Sequence, residues 1–271
     1  MSVTLERKKV TVPALMAMKQ RGEKIAALTA YDFLLANFLD EAGLDLVLVG
    51  DSVAMVFAGH ETTLPITLEE IIYHTRAVRR GLKNALLVAD LPFLSYQVSP
   101  EQAVLNAGRL LKEGGAEAVK LEGGSIMAET IRRLVQIGIP VIGHLGLTPQ
   151  SINAFGGYAL QAAHEASARR LLEEAVQLQE AGVFAIVLEK IPATVAREVT
   201  QVLKVPTIGI GAGPHCDGQI LVTHDMLGLF EKFKPKFVRR FAEAGKLIRE
   251  ASAAYREEVK AGKFPTEQES Y

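Results

Sequence analysis

The sequence predicts an α/β fold of the (β/α)8 TIM-barrel class, with an extra helix before the first strand and a long helix at the carboxyl terminus. Three observations predict it. Short apolar, often β-branched runs alternate with longer stretches of helical period, the pattern of βα units building a parallel sheet. The strand candidates read as nearly continuous apolar runs, as in LDLVLVG (44–50) and ALLVADL (85–91), which is how strands buried on both faces look. Finally, 271 residues with 49% hydrophobic content match one core of the size that a closed barrel of about 250 residues needs. One domain spanning residues 1–271 is expected.

Taken in order, the strands are expected at Ile25–Thr29, Leu44–Gly50, Ala85–Asp90, Ala116–Leu121, Val141–His144, Ala185–Glu189, Thr207–Ile210 and, more weakly patterned, Ile220–Val222. Helices are expected at Leu68–Gly81, Glu101–Glu113, Ile126–Gln136, Ala166–Ala181 and Thr194–Leu203, each ending near a glycine or a proline-led strand entry. Thr11–Gln20 adds a helix before the first strand, placed to plug the barrel from below. EKFKPKFVRRF (231–241) is read as the start of a terminal helix running to about Lys260, a charged capping helix rather than a nucleic-acid element. A doubly wound sheet would carry a glycine-rich fingerprint after its first strand, and LTAYDF (28–33) has none.

Thirty basic residues against 31 acidic ones leave a formal charge of −1, with no field of one sign to attract nucleic acid or an anionic membrane. The expected partners are small molecules. One cysteine, Cys216, leaves no intramolecular disulfide, and no uncharged apolar run is long enough to span a bilayer. The charged start MSVTLERKKV does not read as a signal peptide, so a cytoplasmic location is expected.

In a (β/α)8 barrel the carboxyl ends of the strands face the active site. Here those ends carry Gly50-Asp51-Ser52, Asp90, Lys120 with Glu122, His144 and Glu189. Asp51, Asp90 and Glu122 on adjacent strands would make a cluster of hard oxygen donors. Mg2+ suits it, being an ion that prefers oxygen and keeps waters that a chelating 2-oxo carboxylate displaces. A lone strand-end aspartate can equally cap a helix. Lys120 and Glu122 stand two apart, so both point into the barrel while Leu121 faces the helices. They read either as a structural ion pair or as groups that hold substrate and metal. AIVLEKIP (185–192) delivers Glu189 on an apolar strand to the same rim, the setting of a general base. A pairing with Lys190 is the structural alternative. His144 either orients substrate or serves as a satisfied structural imidazole.

Three loops stand out. GIGAG (209–213) allows close backbone approach and lacks a neighbouring cation, so a folding role is favoured over phosphate binding. Thr148–Gln161 has the length of a lid. VAMVFAGHETTLP (53–65) is apolar enough to fold over the site or meet another subunit, and its Val53, Met55 and Phe57 are candidates to line an apolar pocket.

GDS at 50–52, GHETTLPIT at 59–67, YHTRAVRRG at 73–81, VKLEGG at 119–124, GHLGLTPQS at 143–151 and GIGAG with DGQILV at 209–222 together resemble the ketopantoate hydroxymethyltransferase family. The resemblance runs from about residue 10 to 260. Glu61 and Ala54 depart from the expected aspartate and glycine, in a loop rather than among the carboxylates. The resemblance implies a barrel of the phosphoenolpyruvate-mutase-like superfamily and Mg2+ held by Asp51 and Asp90, with Glu122 assisting through water. It implies Ser52 and Lys120 on the 2-oxo acid and Glu189 as base. It further implies 2-oxoisovalerate as acceptor, 5,10-methylenetetrahydrofolate as one-carbon donor, ketopantoate as product for pantothenate and coenzyme A synthesis, an enolate intermediate and a homodecamer. The competing readings are a magnesium-dependent carbon–carbon lyase or phosphonomutase of the same superfamily, and a barrel that binds a 2-oxo acid without turning it over. The lyases commonly carry a catalytic cysteine on a mobile loop, whereas Cys216 lies after the seventh strand.

Overall fold

The computed structural model describes residues 7–232 and 235–271. The chain divides into two compact units, Met1–Leu221 and Val222–Tyr271. The first holds a closed barrel of eight parallel strands in chain order, with β8 pairing back onto β1.

The first unit opens with α1 (Val12–Arg21), capped by the Thr11 hydroxyl and started by Pro13, followed by β1 (Ile25–Thr29). Leu15 of α1 is fully buried in one apolar cluster with Ile25, Leu46 and Leu86, so α1 closes the barrel interior as the sequence suggested. Next comes α2 (Phe33–Glu41), which the sequence reading did not single out although Asp32 caps it through Leu35 N–H. Then follow β2 (Leu46–Val49), the one-turn helix α3 (Val53–Val56) and α4 (Leu68–Gly81), which starts on a Thr67–Glu70 capping box. After β3 (Leu86–Asp90), α5 (Pro100–Arg109) passes into a π-helical turn at Leu110–Gly114, where a continuous helix was expected.

The remainder of the barrel is β4 (Ala118–Glu122), α6 (Ala128–Gln136), β5 (Val141–Gly146), the short α7 (Ile152–Phe155), α8 (Glu165–Ala181), β6 (Ala185–Glu189), α9 (Ala193–Val202), β7 (Thr207–Ile210) and β8 (Gly218–Leu221). Between β7 and β8, residues 211–217 form no helix, so the alternation stops one unit short of the repeating pattern. The GIGAG glycines explain the compact path. Gly211 and Gly213 have φ of 65° and 78°, and a Cβ on Gly213 would fall 2.4 Å from that of Ala193. The eighth strand begins two residues earlier than expected.

Period-two alternation sorts the strand residues between two cores. Ala118 packs with the barrel interior, while Val119 and Leu121 pack with the helices. The second unit contains α10 (Thr223–Met226) and α11 (Ala244–Lys260). The helix expected from Glu231 thus starts only at Ala244. Pro235 cannot donate to a helical ladder, and residues 235–243 are irregular. Phe233 and Lys234 of that expectation lie outside the described residues.

Candidate active site

Strand register brings the polar residues together at the carboxyl ends. Asp90 is the β-partner of Lys120, Glu122 of His144, and Gly146 of Glu189. Asp51 follows β2 by two residues. Asp51, Asp90, Lys120, Glu122 and His144 are all buried, whereas the Glu189 side chain is 16% exposed, at the rim. Gly146 lets β5 pass that rim closely. Its φ is 94°, and a Cβ there would fall 2.2 Å from the Glu189 carbonyl oxygen.

Neither aspartate caps a helix. Asp90 Oδ2 accepts the Asp51 backbone N–H at 2.9 Å, and its Oδ1 pairs with Lys120 Nζ at 3.1 Å. Asp51 Oδ2 accepts from Gln150 Nε2 at 2.9 Å. Ser52 Oγ shares a 2.8 Å hydrogen bond with the buried Tyr31 hydroxyl. His144 Nδ1 stands between Lys120 Nζ at 3.3 Å and Glu122 Oε1 at 3.2 Å, while its Nε2 lies 3.2 Å from Glu189 Oε2. A lone pair on Nδ1 suits the lysine and a proton suits the glutamate, so both contacts cannot be favourable at once. The carboxylates decide it. Burial and Lys120 oppose charge on the ring, but Glu122 and Glu189 outweigh them and push the imidazole pKa up to about 9.

Fully ionised, the four carboxyl groups of Asp51, Asp90, Glu122 and Glu189 would face one ammonium and one imidazolium. The excess is negative and mostly dry. Burial, then Asp90, then Glu122 push the Asp51 carboxyl up to about 8, and burial raises that of Asp90 despite Lys120. Glu122 moves the other way, since the contact with His144 overcomes burial. Burial also opposes the Lys120 charge, yet Asp90, Glu122 and Asp51 hold the ammonium well above its usual range. Asp90 Oδ1 and Glu122 Oε1 are buried and make no well-aligned hydrogen bond, their neighbours at ion-pair distance being Lys120 and His144.

The site also contains residues that sequence reasoning left in a loop. Gln150, in the 3-10 turn Pro149–Ser151, is buried and reaches Asp51, Glu122 and the Leu91 carbonyl, and the buried Tyr96 hydroxyl donates to its Oε1 at 2.8 Å. A polar Gln amid Leu147, Pro149 and Ile152, straight after a barrel strand, was the available signal. The first part of the expected lid is therefore packed, with Thr148, Gln150 and Ile152 all buried. Of the three apolar pocket candidates, Val53 is buried in the helical layer and Phe57 meets the His74 ring edge-on at 4.9 Å. Met55 alone of them contacts the Tyr158 hydroxyl, at 3.8 Å, beside the fields of Glu189 and Asp51. Lys190 Nζ donates to the Tyr158 carbonyl and not to Glu189. Cys216 is buried next to the start of β8, at the end of the barrel opposite these residues.

The sequence profile described as ketopantoate hydroxymethyltransferase matches residues 9–267. The chain belongs to the ketopantoate hydroxymethyltransferase family. It is 57% identical over 261 residues to the 3-methyl-2-oxobutanoate hydroxymethyltransferase of Geobacter sulfurreducens, covering 96% of this chain and 98% of that protein. It is 55% identical to the protein of the same name from Chlorobaculum tepidum, covering 97% and 96%. The chain is accordingly an enzyme of the transferase class. Among solved structures it is similar to phosphonopyruvate hydrolase in complex with oxalate and Mg2+ (TM-score 0.62, 13% identity, 94% and 88% covered). It is also similar to 2,3-dimethylmalate lyase, a PEP mutase/isocitrate lyase superfamily member (TM-score 0.61, 18% identity, 96% and 91% covered). At these identities the likeness establishes the barrel fold alone.

Proposed function

We propose that this enzyme transfers a hydroxymethyl group from 5,10-methylenetetrahydrofolate to 3-methyl-2-oxobutanoate (2-oxoisovalerate), forming ketopantoate and tetrahydrofolate for pantothenate and coenzyme A synthesis. The observation that carries the reading is the buried set Asp51, Asp90, Lys120, Glu122 and His144, with Glu189 at its rim, in a chain of this family. A cation fits the excess negative charge and the buried Asp90 Oδ1 and Glu122 Oε1, which have ion-pair neighbours but no well-aligned hydrogen bond. Among the described residues no three His, Cys, Asp or Glu side chains are arranged to hold a metal ion by themselves; Mg2+ needs only one or two carboxylates, with waters and substrate oxygens completing its shell. Asp51 and Asp90 would hold it, with Glu122 acting through water. When bound, Mg2+ would supply Lewis acidity toward a 2-oxo acid.

The chain's own residues supply the rest. Lys120 and Ser52 hold the 2-oxo acid, and His144 fixes the rim carboxylate from below. Glu189 takes the C3 proton, leaving an enolate whose carbon bonds to the one-carbon unit. Water provides the new hydroxyl. Its other hydrogen and the C3 proton end on the two folate nitrogens released from carbon, so atoms balance. Among the described residues no helix is long and apolar enough to cross a membrane; a homodecamer is the assembly that the family resemblance implies, and the cytoplasm is the location proposed for it.

The test is incubation with 3-methyl-2-oxobutanoate, 13C-methylene-labelled folate and Mg2+, read by NMR. Labelled ketopantoate is expected, and omission of folate should abolish it. Cleavage of a 2-oxo acid instead would make the chain a lyase, and binding without any product would make it a sensor.

A further inference from the structure

Gln150 contacts the acidic cluster twice by different atoms. Its backbone N–H donates to Glu122 Oε2 at 3.0 Å, and its side-chain Nε2 donates to Asp51 Oδ2 at 2.9 Å. The second Nε2 hydrogen goes to the Leu91 carbonyl at 3.0 Å, and Oε1 accepts from the Tyr96 hydroxyl at 2.8 Å and from Gln97 Nε2 at 3.2 Å. Every position of the amide is used.

The orientation of that amide follows from its partners. A carbonyl oxygen such as that of Leu91 can only accept, so nitrogen must face it, and the same nitrogen then faces Asp51. Tyr96 is itself fixed, since its hydroxyl accepts the Glu122 backbone N–H at 3.1 Å. The result is a closed ring of contacts linking the ends of β2, β3 and β4 through one side chain that follows β5. The ring occupies one oxygen each of Asp51 and Glu122 and leaves the other outside it.

We infer that Gln150 is a positioning residue for the reaction: it holds Asp51 and Glu122 in the one arrangement in which the cluster receives a divalent cation and a 2-oxo acid. This rests on the cation reading given above. All of Gln150's polar contacts are to protein groups, so it would act through the two carboxylates, as outer partners of metal ligands do. Exchange of its amide for a group of equal length without donors would free the Asp51 carboxylate to turn, and leave both Leu91 and Asp51 without a donor.

The experiment uses the whole chain, Mn2+ as the probe, and Gln150→Met, with Tyr96→Phe as a milder variant that keeps the amide but loosens it. Mn2+ affinity is measured by electron paramagnetic resonance, and folding by circular dichroism and Tm. Gln150→Met should weaken Mn2+ binding at least about 10-fold, the scale seen for outer partners of metal ligands, and Tyr96→Phe by less. A purely structural Gln150 would lower Tm and leave the affinity of the folded protein unchanged, and that result overturns the inference. If Gln150→Met does not fold, unchanged affinity in Tyr96→Phe overturns it. If wild type binds no Mn2+, the cation reading falls, and calorimetry with 3-methyl-2-oxobutanoate decides: weaker binding in Gln150→Met supports the positioning role. Wild-type affinity for the 2-oxo acid in that variant, or no binding of either probe by wild type, sinks it.

Discussion

Lys120 Nζ lies 3.1 Å from Asp90 Oδ1, with the two side chains 6% and 2% exposed. Among the described residues it is the only buried lysine or arginine, and it faces three carboxylates. Removing one partner of a buried ion pair leaves an uncompensated charge, which costs about 3–5 kcal/mol. Lys120→Met should therefore lower unfolding stability by that amount in EDTA, measured by urea titration at neutral pH. Unchanged stability would show that the carboxylates are already neutralised by protons.

The same charge excess sets a pH dependence for the metal-free protein. Folding raises the Asp51 pKa to about 8 and that of His144 to about 9, so the folded state binds protons that the unfolded state releases. Their stabilisation is full below the unfolded values, about 3.9 and 6.5, and is lost as pH rises through the folded ones. Urea midpoints in EDTA should fall from pH 5 to pH 9. A flat or rising profile would mean that neither group holds its proton.

Much of this site was readable in the sequence because period two and strand ends fix where a side chain points. Lys120 and Glu122 flank Leu121, and the structure turns the pair inward and Leu121 outward. Glu189 was placed at the rim for the same reason. Gln150 was missed because it follows its strand in an irregular turn, where no periodicity reports direction, and its partners come from three other strands. The α11 start was misplaced because helical composition before Ala244 was given more weight than Pro235. The sequence offers no helical stretch between β7 and β8, and the close glycine packing there agrees with the folding role expected of GIGAG.

Asp40 illustrates a structural carboxylate with the opposite behaviour. On α2, it accepts the backbone N–H groups of Lys83, Asn84 and Ala85 at 3.1, 2.9 and 2.8 Å, tying the entry of β3 to that helix. Burial raises its pKa, but these donors outweigh it and bring it below the usual value. Asp40→Ala leaves the buried Ala85 N–H and two partly exposed donors without their acceptor and should cost about 1.5–3 kcal/mol, the scale of one hydrogen bond to a charged group. Its contribution is present above the unfolded pKa and lost in acid. Equal urea midpoints for variant and wild type at pH 7 would refute the assignment.

For the cation, Asp51→Asn and Asp90→Asn keep the side-chain shape and one acceptor oxygen but remove the charge. Each should weaken Mg2+ binding in the presence of 3-methyl-2-oxobutanoate by more than about 100-fold, beyond the 10–100-fold typical of outer partners. Circular dichroism should show the fold intact. Calorimetry that returned wild-type affinity for both variants would remove these residues as direct ligands.

Glu189 ends an apolar strand at the rim, 3.2 Å from His144 Nε2, and is the most exposed carboxylate of the cluster. Glu189→Gln preserves size and hydrogen bonding while removing the basic oxygen. The variant should still bind Mg2+ and the 2-oxo acid, yet lose about 10²–10⁴ in rate, the usual scale of general acid–base catalysis. Exchange of the C3 proton with deuterated water, followed by NMR, isolates the step, with a non-reactive folate analogue added in case the donor must bind first. His144 is the competitor, because it reaches the same region from the floor of the site. A Glu189→Gln enzyme that exchanges the proton as fast as wild type would transfer the role of base to His144, and a His144→Gln variant would then carry the whole loss.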